Sequence, residues 1–164
     1  MFDVKPVAAA TKAELYAELI EESRALFEGE RDPIANAANL ASLIFHTLPD
    51  LNWVGFYRMS DGELVLGPFH GKPACVRIAL GKGVCGTAAR DRRTIIVPNV
   101  DEFPGHIACD SASRSEIVVP IIHGGRVAGV LDLDSPKLAR FDESDARALE
   151  TIVDAYVRAS DLGG

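Results

Sequence analysis

Cysteine is scarce in this chain. Cys75, Cys85 and Cys109 are the three thiols in 164 residues, too few and odd in number for a disulfide framework. Basic residues are outnumbered too: 17 Lys and Arg stand against 24 Asp and Glu, a formal net charge of −7. That balance repels phosphate backbones and anionic headgroups, so neither nucleic acid nor a membrane is expected as partner. No apolar run approaches the ~20 residues that span a bilayer. The N-terminal stretch carries Asp3 and Pro6 and lacks a basic start followed by an unbroken apolar segment, a poor export signal. A cytoplasmic location with reduced thiols is therefore expected. Also missing are a Gly-x-Ser-x-Gly elbow and, in the glycine-rich GKGVCG, the Lys-Ser/Thr ending of a phosphate loop.

What is present is an ordinary core-forming composition, 48% hydrophobic and 25% charged. The length suits one domain over 1–164, with flexible ends expected at 1–10 and 161–164. Thr11 and Glu14 read as a capping box opening a helix that runs to about Phe27. Asp32-Pro33 opens a second helix, whose face is expected to carry Ile34, Ala37, Ala38, Ala41, Ile44, Phe45 and Leu48 before Pro49 stops it. From Leu51 the period changes. Strands are expected at 53–59, 63–69, 74–78, 93–98, 116–122 and 126–135, with a short helix at 84–91. The stretch 99–115 reads as a loop with a helical turn after Ile107, and Asp142 caps a final helix. The order predicts an α+β domain, a mostly antiparallel sheet with the terminal helices packed on one face.

Three readings stay open for the cysteines. They are small buried hydrophobes, as most free cysteines are; metal ligands, which the lack of any Cys-x-x-Cys or close His pair disfavours; or redox thiols. Cys109 lies in PGHIACDSAS, a loop too polar for a core. A following helical turn and His106 would lower its pKa, and Asp110 would oppose that. Asp132 and Asp134 alternate with Leu131 and Leu133, so both acids share one face of their strand, with Glu116 starting the next. A solvated outer face is one reading of them and a binding rim the other. Trp53 and Tyr57, four apart, also share a face, as core or as the aromatic wall of a pocket.

NWVGFY, GPFHGKPACVRI, GKGVCGTAA, FPGHIACDSASRSEIVVP and GVLDLDS resemble, in order, the free methionine-(R)-sulfoxide reductases, a family with the GAF fold. The resemblance runs from about Leu15 to the last helix. It implies that Cys109 is the nucleophile that becomes a sulfenic acid, Cys75 the principal resolving thiol that closes a disulfide with it, and Cys85 a secondary resolver or relay. It implies Glu116, Asp132 and Asp134 as substrate-site carboxylates and Trp53 and Tyr57 as the aromatic wall. The substrate would be free methionine-(R)-sulfoxide and the external reductant thioredoxin, with no metal or organic cofactor. A ligand-binding GAF sensor is the rival from another class. The amphipathic terminal helices leave room for a homodimer.

Overall fold

The computed structural model describes Asp3, residues 11–107 and residues 109–163. Its element order is α1 (Lys12–Leu26), α2 (Pro33–Thr47), β1 (Trp53–Ser60), β2 (Glu63–His70), β3 (Arg77–Ala79), α3 (Gly83–Asp91), β4 (Ile95–Val97), a 3₁₀ turn (Val100–Glu102), β5 (Ser115–His123), β6 (Arg126–Ser135) and α4 (Glu143–Ala159). The fold is α+β. Six strands form one sheet in the order β3-β2-β1-β6-β5-β4, and every neighbouring pair is antiparallel.

The caps follow the sequence. Thr11 accepts from the Glu14 amide, Asp32 from those of Ile34 and Ala35, and Asp142 from those of Ser144 and Asp145. Asp142 and Asp145 form a reciprocal capping box. α2 stops at Thr47 because Leu48 precedes Pro49 and takes extended backbone, with ψ of 133°. Its buried stripe is Ala37, Leu40, Ala41, Leu43 and Ile44. The sequence stripe was drawn about a quarter turn off: Ile34 is 65% exposed and Ala38 is exposed, while Leu40 and Leu43 carry the face.

Strand alternation splits the apolar residues between two cores. Val54, Phe56, Ile117, Val119, Ile121, Leu131 and Leu133 pack against α1, α2 and α4. Trp53, Tyr57, Val118 and Val130 face the other way, toward Val84, Cys85, Ala88 and Ala89 of α3. So the terminal helices cover one face, while α3 and the loops around it cover the other. Burial of apolar surface on both sides at roughly 25 cal/mol per Å² holds the sheet between its two layers.

Two elements depart from the sequence reading. β3 pairs only over 77–79 and not 74–78: Pro73 has no amide hydrogen to donate, and the Cys75 carbonyl is taken by the Tyr57 hydroxyl at 2.8 Å. The helical turn lies at Val100–Glu102, ahead of Ile107. Cys109 lies in a bend and residues 111–112 in a turn, which Asp110 fixes by accepting from the Ala112 amide. Of the ends expected to be flexible, 1–2, 4–10 and Gly164 lie outside the described residues. Asp161 is tied to Arg31 by side-chain and backbone bonds.

Candidate active site

The face of the sheet away from the terminal helices carries the acids. β6 runs between β1 and β5. Trp53 pairs with Asp134 and Gly55 with Asp132 on one side, and Glu116 pairs with Asp134 and Val118 with Asp132 on the other. The pleat that sends Leu131 and Leu133 into the helical core turns Asp132 and Asp134 to the opposite face. That face is not solvated. α3 and the loops at 72–75 and 106–113 roof it, leaving Asp132 6% and Glu116 5% exposed.

The walls are aromatic and sulfur-bearing. The Trp53 and Tyr57 rings lie 6.1 Å apart at 27°, and Phe69 stacks on Trp53 from behind at 5.4 Å. Trp53 Nε1 donates to the Lys72 carbonyl at 3.0 Å, which, with the Tyr57 bond to Cys75, ties the 72–75 loop to β1. At the mouth, the Cys75 and Cys109 sulfurs lie 2.7 Å apart as free thiols, against about 2.05 Å in a disulfide. Cys75 is half-buried and Cys109 exposed; Cys85, on α3, is buried deeper. Trp53, Tyr57, Cys85, Cys109, Glu116, Asp132 and Asp134 all line one cavity. Cys75 sits at its rim, bonded to Cys109 and to Tyr57.

In this state the cavity encloses only about 30 Å³. That admits an ion or a water or two, and not an amino acid. Among the described residues, Cys85, Glu116 and Asp132 each place one donor atom within 4.8 Å of the others, although no metal-binding spacing exists in the sequence.

Burial dominates the electrostatics. It pushes Glu116 up to about 8, with the Asp134 charge adding to the effect. Asp132 is raised well above an ordinary carboxyl by burial and then by Glu116, and Asp134 by burial and then by Asp132. Three carboxyls this close cannot all be charged, and the cluster holds protons at neutral pH. The Cys85 thiol is raised by burial and by Asp132.

Cys109 differs from the sequence expectation. Its thiol is pushed up to about 12, by burial first and then by its bond with Cys75. Among the described residues no helical turn directly follows it in the sequence. His106 points elsewhere, its Nε2 lying 3.3 Å from Glu116 Oε2, and burial lowers its own pKa, favouring the neutral ring. Asp110 is occupied with the Ala112 amide and Asn52 Nδ2. The resting state is thus a protonated Cys109 thiol over a proton-holding acid cluster.

The sequence reading passed over Gly55, Asn52 and Ser113. A Cβ on Gly55 would collide with Trp53 Cη2 and lie 2.7 Å from its Cζ3 and 2.5 Å from Phe69 Cβ, so the indole lies flat only because residue 55 has no side chain. Asn52 Nδ2 donates to Asp110 and to Ser113 Oγ, bracing the Cys109 loop against β1. The signal for Gly55 was available: a glycine inside an aromatic strand marks a close approach. Asn52 and Ser113 gave none, being polar residues in turns.

The chain matches the GAF domain family over residues 35–159, and it belongs to that family. Its relatives narrow this. Free methionine-R-sulfoxide reductase of Escherichia coli (strain K12) is 47% identical over 142 residues, 87% of this chain and 86% of that protein. The protein of the same name from Saccharomyces cerevisiae is 45% identical over 149 residues, 86% and 83% of the two chains. The X-ray structure of free methionine-R-sulfoxide reductase from Neisseria meningitidis in complex with its substrate matches with a TM-score of 0.92 at 43% identity, covering 97% of this chain and 95% of that one. Within the GAF domain family, the chain belongs to the free methionine-R-sulfoxide reductases.

Proposed function

We propose that this protein reduces free L-methionine-(R)-sulfoxide to methionine, with Cys109 as nucleophile, Cys75 as resolving thiol and thioredoxin as the external reductant. The observation that carries the reading is the Cys75–Cys109 sulfur contact of 2.7 Å at the mouth of a cavity floored by proton-holding acids. A nucleophilic thiol needs a partner close enough to resolve its oxidised form, and these two already touch.

The substrate enters beside the Trp53–Tyr57 wall as the loops over the small cavity open. Glu116, held protonated near neutrality, donates to the sulfoxide oxygen, and Asp132 or Asp134 holds the ammonium. Cys109 sulfur, giving up its proton to the acid cluster, attacks the substrate sulfur. The S–O oxygen transfers, methionine leaves, and Cys109 is a sulfenic acid. Cys75 thiol then attacks Cys109, expelling water and closing the disulfide. Thioredoxin's dithiol exchanges with that bond, regenerating both thiols. Cys85 is a relay in reserve behind them. No step needs a resident metal or organic cofactor.

Free amino acid preference follows from the floor. A peptide-bound residue has no ammonium to offer buried carboxylates, and its chain has no path through the roof. We place the activity in the cytosol, where thiols are kept reduced, and in one catalytic domain over 1–164, with a homodimer left to a mass measurement. Among the described residues no helix is long and apolar enough to cross a membrane.

The test is NADPH oxidation with thioredoxin, its reductase and racemic methionine sulfoxide. Consumption of the R epimer alone is expected. Cys109→Ser should abolish turnover, and Cys75→Ser should keep single-turnover methionine release while losing recycling. Absence of NADPH oxidation with the intact protein ends the reading.

A further inference from the structure

The acid floor holds a second possibility that sulfoxide reduction does not use. Cys85 Sγ comes from α3, Glu116 from β5 and Asp132 from β6, and one donor atom of each lies within 4.8 Å of the other two. All three residues are buried. Asp132 Oδ1 is buried with no hydrogen-bond partner among the described residues, on a residue only 6% exposed that lines the cavity. A carboxylate oxygen in a dry site is costly unless it shares a proton with its neighbours or holds a cation. His106 Nε2 lies 3.3 Å from Glu116 Oε2 but outside the group whose donor atoms all lie within 4.8 Å of one another, which leaves the fourth position of a tetrahedral ion to water.

We propose that this cluster is a Zn²⁺ site, formed by Cys85, Asp132 and Glu116, and that the ion acts as a reversible inhibitor. The donor set is one thiolate and two carboxylates. The thiolate selects a borderline-soft ion over Mg²⁺ or Ca²⁺. Space agrees, because the cavity of about 30 Å³ has room for an ion with a bound water. All three donors sit on regular elements, which hold their backbones fixed around the site. On binding, the thiol and the protonated carboxyls among the ligands give up their protons to solvent as the ion takes their place. The inhibition, though not the binding, rests on the reductase reading: an ion on Glu116 and Asp132 removes the acid and blocks the ammonium position together.

The mouth thiols are the competing ligands, and the experiment separates them. Reduced Cys75→Ser/Cys109→Ser protein is titrated with Co²⁺ and, against a chromophoric chelator, with Zn²⁺. A sulfur-to-cobalt charge-transfer band is expected, and adding Cys85→Ser should erase it. Asp132→Asn in the same background should weaken Zn²⁺ at least about tenfold, since even residues outside a metal's ligand set are worth 10–100-fold. It also serves where Cys85→Ser fails to fold. Binding lost in the Cys75→Ser/Cys109→Ser protein but kept in Cys85→Ser would overturn the assignment, as would Zn²⁺ affinity unchanged by Asp132→Asn. In the intact protein, Zn²⁺ should suppress turnover and a chelator restore it. A cobalt band that depends on Cys85 in a protein without reductase activity would support the ion site while ending the reductase reading.

Discussion

Glu116 and Asp134 stand directly opposite one another across the β5–β6 ladder, two acids on neighbouring strands turned toward the same cavity. Like charges in that position repel, and burial adds to the penalty on the ionised forms. The folded protein therefore keeps protons that the unfolded chain gives up.

This sets the direction of its pH dependence. Glu116 titrates at about 8 in the fold against an ordinary 4.5. Above the lower value the unfolded state releases a proton that the native state retains, so stability falls with rising pH. The contribution is whole below about 4.5 and is lost as pH climbs through about 8. The melting temperature of wild type should drop between about pH 5 and pH 9, and that of Glu116→Gln should drop less. Equal slopes in calorimetry would contradict the assignment.

Gly55→Ala should cost about 1–3 kcal/mol, as overpacking does, because the added methyl meets the Trp53 ring and Phe69 Cβ. The indole must lift from the wall. Tryptophan fluorescence should shift, and it reports cleanly because Trp53 is the single tryptophan. An unshifted spectrum with full stability would show that the wall tolerates a side chain there.

Thiol reactivity offers a third check. With its thiol pushed up to about 12, Cys109 is almost wholly protonated at neutral pH, and only the thiolate attacks an alkylating agent. Iodoacetamide labelling of Cys109, followed by mass spectrometry, should be slower than that of a free small thiol at pH 7 and should still be accelerating at pH 10. A plateau below about pH 8 would mean the resting thiol is already activated.

Far from the cavity, Asp145 is fully buried and accepts from Tyr16, Arg140 and Lys12, joining α1 to α4. Asp145→Ala removes the carboxylate from half-buried Arg140, which keeps the Pro49 carbonyl, and from Tyr16, and should cost about 3 kcal/mol. Denaturant unfolding measures the loss. The folded fraction should retain the cavity and its thiol contact, since the substitution lies across the sheet.

The sequence made the frame legible where local chemistry decides it. Caps at Thr11, Asp32 and Asp142, the His123-Gly124-Gly125 turn and the alternation of Leu131-Asp132-Leu133-Asp134 each announce their element. The grouping of Trp53 with Tyr57 and of Asp132 with Asp134 followed from period two alone. What escaped was the roof. Whether the acids faced water depended on α3 and the 106–113 loop folding over them, a long-range event with no local signature. The same gap hid the His106–Glu116 contact and reversed the expected direction of the Cys109 shift. A pKa answers to neighbours in space, and Cys75 is 34 residues away in sequence.

The alternation along β6 has a consequence for how the molecule assembles. Slipping that strand by a single position would drive carboxyls among the aliphatic helices and strand leucines over the cavity, two errors from one displacement. No mispaired form retains either half, so a chain that has found its hydrophobic interior has, in the same motion, aimed its chemistry.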